Sequence, residues 1–473
     1  MSPEELEGKI ASGIDANDLL GEFYTRMGKI PGIFLGQRSA QGGGTVDIKL
    51  PYSYRDRHVY MIGRSGSGKT NLIRTMVQQD IFFGCGVGVL APEAELLTDE
   101  LLPYMPENRI DDVVYVNPAD SRHPISFNPL TLGEGESIDE KVDDFVTIFK
   151  RAVGDTGFRM DQILSETLYA LIRRPGSTLD DVEKFLSRSN PAFRNEVLRT
   201  ADEKTRTFFE ETYPGMDKNA ANPVLSRISA FTRRESVRNI LCQPGKSFSF
   251  RRAMDEGKIL FFNLSDGILG EQASQLLGQI IVSQFQLAAM SRADIPKAKR
   301  RDFYLYLDEF QTFTGVAETS YSAMLSRARK YKLGLTLAHQ QTGQLSKKLL
   351  DEIFGNVTSF IAFNLSHDDA NKLSHEYAYE YGDTVEYTEP GEFLRLRTGQ
   401  ALGKIGRTVF PLQTLLAPQD PDHNRANSII ERSARNYGHG RQGTPPTGRP
   451  PQQVRTLPSP QKQQADIKPE RVF

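Results

Sequence analysis

The chain has 473 residues, of which 38% are hydrophobic, so it can bury one large core or two modest ones. Its 58 basic and 60 acidic residues give a net charge of -2, which excludes a global basic excess and requires any nucleic-acid-binding surface to be local. Cys85 and Cys242 match no metal-ligand spacing and are expected to be reduced thiols. Because the sequence shows neither a membrane-spanning apolar run nor a signal peptide, we expect a cytoplasmic protein without an integral membrane segment.

The N-terminal part of the chain is polar and precedes the first strand signals. Residues 1–40 carry only short apolar runs, and we predict that they form a small lead-in. Three glycines at 42–44 then precede Thr45 to Leu50, whose alternation of side chains is typical of an edge strand. The apolar run from Val59 to Ile62 predicts the first buried strand.

A glycine-rich loop follows that strand and fits the pattern G-x-x-x-x-G-K-[ST]. Its residues are Gly63, Arg64, Ser65, Gly66, Ser67, Gly68, Lys69 and Thr70. Such a loop turns consecutive backbone N–H groups inward, so that they and the next helix N-terminus attract the phosphates of a nucleotide. We predict that all eight residues bind ATP, that Lys69 neutralises the terminal phosphates and that Thr70 is a ligand of Mg²⁺. A chance match is the alternative, which the strand before the loop and the apolar helix after it disfavour.

Two further apolar runs, from Gly86 to Leu90 and from Val113 to Val116, predict more strands. Strands that alternate with helical stretches indicate a parallel α/β sheet. We therefore assign residues 41–136 to the first part of an α/β nucleotide-binding domain, which continues over residues 251–430.

The sequence changes character at Ser137, where a capping box with Glu140 begins a helical apolar pattern. Charge-rich helical segments, broken by prolines, continue to about Arg238. We predict that residues 137–250 form an all-helical insert domain. The alternative is a helical cap whose only role is to shield the sheet.

After the phosphate loop, the second stretch that points to a function is the apolar run from Phe303 to Leu307. It predicts a buried strand ending in Asp308 and Glu309. Acidic residues at the carboxyl end of such a strand lie where α/β sheets bind ligands. We predict that Asp308 holds Mg²⁺ and that Glu309 polarises the water that attacks the γ-phosphate. In isolation an Asp-Glu pair would more simply be a solvated strand end, and it is the phosphate loop that favours catalysis.

The next predicted strand, Leu333 to Ala338, ends in His339 and Gln340. A polar residue at this place can contact the γ-phosphate or its water, and its movement can drive a conformational change. Gln340 is therefore predicted to be a catalytic residue that reports whether ATP is intact. His339 is predicted to be structural, because no second histidine or cysteine lies near it in sequence.

The end of the chain, residues 431–473, is rich in proline and basic residues and poor in apolar ones. Burial cannot offset the ordering entropy of such a composition, so we predict a disordered basic tail. The tail is either passive or supplies weak phosphate contacts or a docking segment for a partner.

Four motifs, taken in order, resemble the HerA/FtsK superfamily of DNA-pumping ATPases, and most of all its conjugative coupling ATPases of the TraD/TrwB kind. The motifs are residues 63–70, 307–311 (Leu-Asp-Glu-Phe-Gln), 326–334 and 338–341. Two features depart from the family pattern. The stretch Ala91 to Glu95 lacks an aspartate that relatives commonly carry there, and the chain shows none of the membrane-spanning helices with which coupling proteins usually begin.

The resemblance implies a RecA-like P-loop core of the additional-strand, catalytic-glutamate type. It also implies a homo-oligomeric ring, a hexamer by analogy, with ATP and Mg²⁺ at the subunit interfaces and DNA in the central channel. A trans-acting arginine would complete each site from the neighbouring subunit. Arg327 and Arg329 are the first candidates for this role, followed by Arg57.

These observations lead to three hypotheses of function. The leading one is a ring-forming ATPase that hydrolyses ATP to move DNA. The second is a nucleotide-gated DNA-binding platform that recruits a partner nuclease or relaxase, and the third is an ATPase that secretes protein. The strandedness of the DNA, the direction of movement and the biological process stay open at this point.

Overall fold

The computed structural model describes residues 32–39, 44–120, 122–132, 136–153, 157–244, 248–381, 384–416 and 421–438. Within these ranges eleven strands form one mixed sheet and two more form a hairpin. The strands are β1 (Ile33–Ser39), β2 (Thr45–Leu50), β3 (Val59–Ile62), β4 (Gly86–Ala91), β5 (Val113–Val116), β6 (Ile259–Asn263), β7 (Phe303–Leu307), β8 (Leu333–His339), β9 (Ser359–Ala362), β10 (Ala378–Tyr381), β11 (Thr384–Tyr387), β12 (Gln400–Ile405) and β13 (Thr408–Gln413).

Helices make up most of the rest of the described chain. They are α1 (Tyr52–Arg55), α2 (Lys69–Phe82), α3 (Glu95–Thr98), α4 (Ile138–Val153), α5 (Phe158–Arg173), α6 (Asp180–Leu186), α7 (Pro191–Leu198), α8 (Glu203–Thr207), α9 (Asn222–Thr232), α10 (Glu235–Leu241), α11 (Phe250–Glu256), α12 (Asp266–Leu269), α13 (Glu271–Ser291), α14 (Glu318–Arg327), α15 (Lys347–Asn356), α16 (His367–Glu376), α17 (Pro390–Leu394) and α18 (His423–Tyr437). In the described ranges no helix combines the length and the apolar character needed to cross a membrane.

The large sheet has the strand order β2-β1-β13-β12-β9-β3-β8-β7-β4-β6-β5. The strands from β9 to β5 in this order run parallel. Strands β12, β13, β1 and β2 continue the sheet in antiparallel pairs. The predicted parallel α/β sheet is therefore confirmed, with an antiparallel extension of which the sequence indicated only the edge strand β2. Because parallel strands point the same way, the residues that follow β3, β7 and β8 meet at one edge.

Helices cover both faces of the parallel strands, because the side chains of each strand alternate between two hydrophobic clusters. In β3, Tyr60 and Ile62 belong to one cluster, and Val59 and Met61 belong to the other. Helix α13 packs in the first cluster and helix α2 in the second. Strands that are buried on both faces are continuously apolar, which is why these strands could be recognised in the sequence.

The region predicted to be helical contains α4 to α10, and its core is continuous with that of the sheet. Leu164 and Leu168 of α5 belong to the same hydrophobic cluster as Phe262 of β6. A π-helical turn, Phe208–Thr212, follows α8. These helices thus cover one face of the sheet, and their separation as an insert domain stays a prediction.

The start of the chain differs from the predicted lead-in over residues 1–40. Strand β1 lies in this region and pairs with β2 and β13, because its apolar residues Ile33, Phe34 and Leu35 are buried in the sheet. The lead-in prediction therefore needs correction for residues 33–39. Residues 1–31 lie outside the described residues.

The predicted tail also needs correction, at its beginning. Helix α18 runs through residues 431–437 and packs on β5, where Tyr115 N donates to Ser433 Oγ at 2.8 Å. Its Ala426, Ile429 and Ser433 are buried at helical spacing, a pattern that the average composition of the region concealed. Residues 439–473 lie outside the described residues.

A buried ion pair fixes α2 against the sheet. Arg55 donates to the two carboxylate oxygens of Asp80 at 3.1 and 2.8 Å, and both side chains are shielded from solvent. The Tyr306 hydroxyl donates to Asp80 at 2.5 Å and accepts from Arg55 at 3.0 Å. Since α2 begins at Lys69, this cluster helps to hold the helix that carries the phosphate loop.

We expect Asp80→Ala to lower the free energy of unfolding by about 3–5 kcal/mol, because it leaves the charge of Arg55 buried without its partner. The matched control is Asp302→Ala, which breaks the partly exposed Lys332–Asp302 pair of 2.8 Å. The free energy of unfolding of that variant should fall by at most about 1 kcal/mol. Urea denaturation measures both values, and equal losses would contradict a structural role for the buried pair.

Candidate nucleotide-binding site

The phosphate loop is held at the carboxyl edge of the sheet by backbone hydrogen bonds. Gly63 N donates to His339 O at 3.2 Å, and Arg64 N donates to Asn364 O at 2.9 Å. These bonds tie the loop to the ends of β8 and β9. Helix α2 begins directly at Lys69, so its N-terminal N–H groups face the space that the loop encloses.

The glycines of the loop are needed for its backbone conformation and for its close packing. Gly66 and Gly68 have φ angles of 70° and 115°, in the left-handed region that favours glycine. A Cβ atom on Gly63 would lie 2.6 Å from the Cβ atom of Phe363. The Ser67 hydroxyl is buried and has no hydrogen-bond partner among the described residues, so a phosphate oxygen could satisfy it. The loop therefore fits a nucleotide phosphate.

Lys69 and Thr70 connect the loop to the acidic end of β7. Lys69 Nζ donates to Gly63 O at 2.7 Å and lies 3.7 Å from Glu309 Oε1. Burial lowers the pKa of Lys69, and the neighbouring carboxylates act in the opposite direction. Thr70 Oγ1 donates to Asp308 Oδ2 at 2.9 Å. Two segments more than two hundred residues apart in sequence thus form one site.

Asp308 and Thr70 are the residues that could hold Mg²⁺. Asp308 is buried, and this burial raises its pKa to about 6, although the hydrogen bond from Thr70 acts in the opposite direction. A divalent cation beside Asp308 would favour the ionised carboxylate. A hydroxyl and a carboxylate oxygen at hydrogen-bond distance are hard oxygen ligands of the kind that Mg²⁺ prefers.

Glu309 has an unusual backbone conformation, with a φ of 45°. The 3-10 turn Phe310–Phe313 follows it, and both phenylalanines are fully buried. A Cβ atom on Gly278 of α13 would lie 2.1 Å from Phe313 Cδ1, so the ring needs a glycine at that place. The packing of this turn holds Glu309 in a left-handed conformation that costs on the order of 1–3 kcal/mol in isolation.

Two glutamine amides hold the carboxylate of Glu309. Gln340 Nε2 donates to Glu309 Oε1 at 3.1 Å, and Gln311 Nε2 donates to Glu309 Oε2 at 2.8 Å. The structure therefore brings Gln340 beside Glu309, and its contact with the γ-phosphate or its water stays a prediction. Gln311 belongs to the Leu-Asp-Glu-Phe-Gln motif, but sequence reasoning gave it no role.

His339 is buried between aromatic residues. Its Nε2 atom lies 2.5 Å from the Tyr60 hydroxyl, and its ring centroid lies 5.1 Å from that of Phe310. Burial lowers the pKa of His339 to about 3, so the ring is neutral at physiological pH. This position agrees with a structural role.

A cleft of about 570 Å³ opens beside Glu309 at the carboxyl edge of the sheet. Its lining includes Glu93, Glu95, Asp266, Glu309, Gln311 and Gln340. Glu93 and Glu95 belong to the stretch in which the sequence departs from the family pattern. Sequence reasoning did not connect these acids or Asp266 with the site, because only the sheet topology places β4 next to β7 and β6 next to β4.

The candidate trans-acting arginines lie at the other edge of the sheet. Arg327 ends α14, and Arg329 lies in the turn before β8, whereas Gln340 follows the opposite end of that strand. His58, which precedes β3, donates from Nε2 to Leu325 O at 3.2 Å, which places the end of α14 at the amino edge. Arg57 lies beside His58 at the same edge. A seven-residue strand is about 20 Å long, so none of these three exposed arginines reaches the site of its own chain.

This sheet, the phosphate loop and the acidic residues after β7 define a RecA-like P-loop ATPase fold. The family model for conjugative DNA transfer in the type IV secretory system matches residues 150–384. Comparison with curated proteins finds no significant match.

Solved structures with a similar fold include the coupling protein TrwB and a VirB4 protein. The unbound bacterial conjugative coupling protein TrwBdeltaN70 is 15% identical, with a TM-score of 0.56 over 86% of this chain and 95% of that one. Plasmid coupling protein TrwB in complex with ADP and Mg²⁺ is 16% identical, with a TM-score of 0.57 over 79% and 89%. VirB4 of Thermoanaerobacter pseudethanolicus is 16% identical, with a TM-score of 0.56 over 83% and 98%. The expected resemblance to conjugative coupling ATPases is therefore confirmed in the fold, and the family model supports it over residues 150–384.

Proposed function

We propose that the protein is a ring-forming ATPase that hydrolyses ATP to move DNA. The observation that carries this proposal is the meeting of Lys69 and Glu309, whose charged atoms are 3.7 Å apart, beside the Thr70–Asp308 hydrogen bond. The match to the conjugative DNA transfer family over residues 150–384 supports DNA as the polymer. ATP is a cytoplasmic nucleotide, and we place the protein in the cytoplasm, where its free cysteines Cys85 and Cys242 would stay reduced.

Each residue of the site has a chemical role in this proposal. The loop N–H groups and Lys69 bind the phosphates and neutralise part of their charge. Thr70 and Asp308 would hold Mg²⁺, which would supply further positive charge to the phosphates. The Glu309 carboxylate accepts a proton from the attacking water as the new O–P bond forms and the bond from the γ-phosphorus to the bridging oxygen breaks, so that ADP leaves.

Gln340 connects the site to the rest of the subunit. It contacts Glu309 through its side chain and lies two residues before the turn Thr342–Gln344. This turn is anchored to α16, where the Thr342 hydroxyl donates to Asp369 at 2.6 Å. A change at the γ-phosphate that moves Gln340 would also move this turn. Such a connection converts the state of the nucleotide into a displacement of surface elements.

The proposal of a ring is supported by the charges at the cleft, where the described residues of one chain supply several acids but few cations. Lys69 is the cation that the described residues place against Glu309, and the other charged residues that line the cleft include the acids Glu93, Glu95 and Asp266. Arg327 and Arg329 lie at the opposite edge. A neighbouring subunit that presents its amino edge to this cleft would bring positive charge to negative charge, and repetition of that head-to-tail contact closes a ring.

The primary test is the ATPase rate of the purified protein with and without DNA. We expect DNA to increase the rate several-fold, because a motor couples turnover to its polymer. Lys69→Ala, which removes the phosphate-binding charge, serves as the inactive reference. An ATPase rate that is the same with and without DNA would contradict a DNA motor.

A second candidate function is a nucleotide-gated platform that recruits a nuclease or relaxase. The observation in its favour is a cleft of about 820 Å³ among the helices that cover the sheet, lined by charged residues that include Glu166, Arg173 and Asp202. Displacement of a triplex-forming strand from duplex DNA distinguishes the candidates. A motor displaces the third strand, whereas a platform binds the DNA and leaves the third strand in place. An ATPase that secretes protein neither binds the DNA nor displaces the strand.

A further inference from the structure

Gln311 is held in place by the same turn that carries Glu309. It belongs to the 3-10 turn Phe310–Phe313, whose two phenylalanines are fully buried. Its backbone carbonyl accepts a hydrogen bond from Thr314 Oγ1 at 2.9 Å. The Gln311 side chain therefore moves with Glu309, and their 2.8 Å hydrogen bond is a fixed feature of the turn.

Among the residues that the structure describes, the second polar atom of the Gln311 amide has no hydrogen-bond partner. Oε1 of Gln311 is buried and accepts no hydrogen bond within the described part of the chain, although its residue lines the same cleft as Glu309 and Gln340. A buried amide oxygen normally has a hydrogen-bond donor nearby. Because Nε2 must face the carboxylate, which only accepts hydrogen bonds, the oxygen is left to face another donor.

A water molecule that attacks a phosphate offers such a donor. As the new bond to phosphorus forms and the bond from phosphorus to the leaving ADP breaks, one of the two hydrogens is transferred to the general base. The other hydrogen stays on the oxygen. An acceptor for the second hydrogen fixes the direction of the attacking lone pair. The carboxylate of Glu309 can accept the first hydrogen, and the free Oε1 atom of Gln311 is suited to accept the second.

We propose that Gln311 is a positioning residue for hydrolysis, with two functions in one amide. Nε2 orients the Glu309 carboxylate, and Oε1 accepts a hydrogen bond from the attacking water. This inference rests on the proposed ATPase function and adds a residue to it. Gln340 differs because it lies on another strand, β8, and can move relative to Glu309.

The test compares Gln311→Met, which keeps the length of the side chain without its amide, with the wild-type protein. We expect kcat to fall about 10- to 100-fold, less than the roughly 10²–10⁴ that a general base supplies, while the KM for ATP changes at most about threefold. In a Glu309→Gln background the same substitution should cause a smaller loss than in the wild type, because Gln311 then has no base to orient and only its contact with the water is removed. Gln311→Ala is the second variant, in case the methionine disturbs the packing of the turn.

Binding of a transition-state analogue gives a readout that does not depend on turnover. Fluorescence titration compares the affinity for ADP with aluminium fluoride, an analogue of the attacked phosphate, with the affinity for ADP alone. In Gln311→Met we expect this preference to fall by the same factor as kcat, with the affinity for ADP unchanged.

Three outcomes would overturn the inference. The first is a kcat and an analogue preference equal to those of the active wild type, which would leave the proposed ATPase function intact. The second is a faster DNA-independent rate in Gln311→Met, since Gln311 would then restrain Glu309 rather than orient it. The third is a wild-type protein that binds ATP without hydrolysing it, which would remove the proposed function together with this role.

Discussion

Glu309→Gln is expected to lower the ATPase kcat by about 10²–10⁴ while the affinity for ATP stays within a few-fold of wild type. The substitution keeps the shape of the side chain but removes the basic carboxylate that would take the proton from water. Lys69 and the loop still bind the phosphates, so nucleotide binding should survive. Steady-state hydrolysis and fluorescent-nucleotide titration measure the two quantities separately.

The control for this prediction is Glu93→Gln, the same change on the same cleft. Glu93 lines the same cleft as Glu309, but it follows β4 rather than β7, and its charge acts on Lys69 less than the charges of Glu309 and Asp308 do. The kcat of the Glu93→Gln variant should stay within a few-fold of wild type. If Glu309→Gln hydrolysed ATP as fast as Glu93→Gln, another group would have to activate the water.

The parts of the site that sequence reasoning found are those encoded locally. The phosphate loop needs three glycines, a lysine and a hydroxyl within eight consecutive residues, so its chemistry is visible in the sequence. Asp308 and Glu309 directly follow a continuous apolar strand, whose burial on both faces makes it recognisable. Their meeting with Lys69 follows from the rule that parallel strands place their carboxyl ends at one edge.

The parts that it missed depend on contacts between distant segments. Strand β13 pairs with β1 across more than three hundred residues, and no local pattern encodes that pairing. In the sequence Gln311 is an ordinary turn residue. Its role depends on the left-handed conformation of Glu309 and on the hydrogen bond that its amide donates to that carboxylate. Asp80 similarly shows its role only when Arg55, Tyr306 and α2 are brought together.

The position of the arginines leads to a second prediction with a large effect. Because Arg327, Arg329 and Arg57 lie at the amino edge of the sheet, any of them that stabilises the transition state must act on the site of another subunit. We expect Arg329→Ala to lower kcat by about 10³ or more, as loss of such an arginine does in other phosphoryl-transfer enzymes. Arg327→Ala and Arg57→Ala, measured in the same assay, identify which arginine has the largest effect.

Mixing two inactive variants shows whether that arginine acts in trans. A mixed ring of Arg329→Ala and Glu309→Gln subunits contains interfaces at which an intact Glu309 faces an intact Arg329. With random assembly and independent sites, about a quarter of the interfaces are of this kind, so activity should return to about a quarter of wild type. The control is a mixture of Lys69→Ala and Glu309→Gln, whose intact residues would both have to come from one chain because they are 3.7 Å apart within it. That mixture should stay inactive, and recovery in both mixtures, or in neither, would contradict a site completed by the arginine of a neighbour.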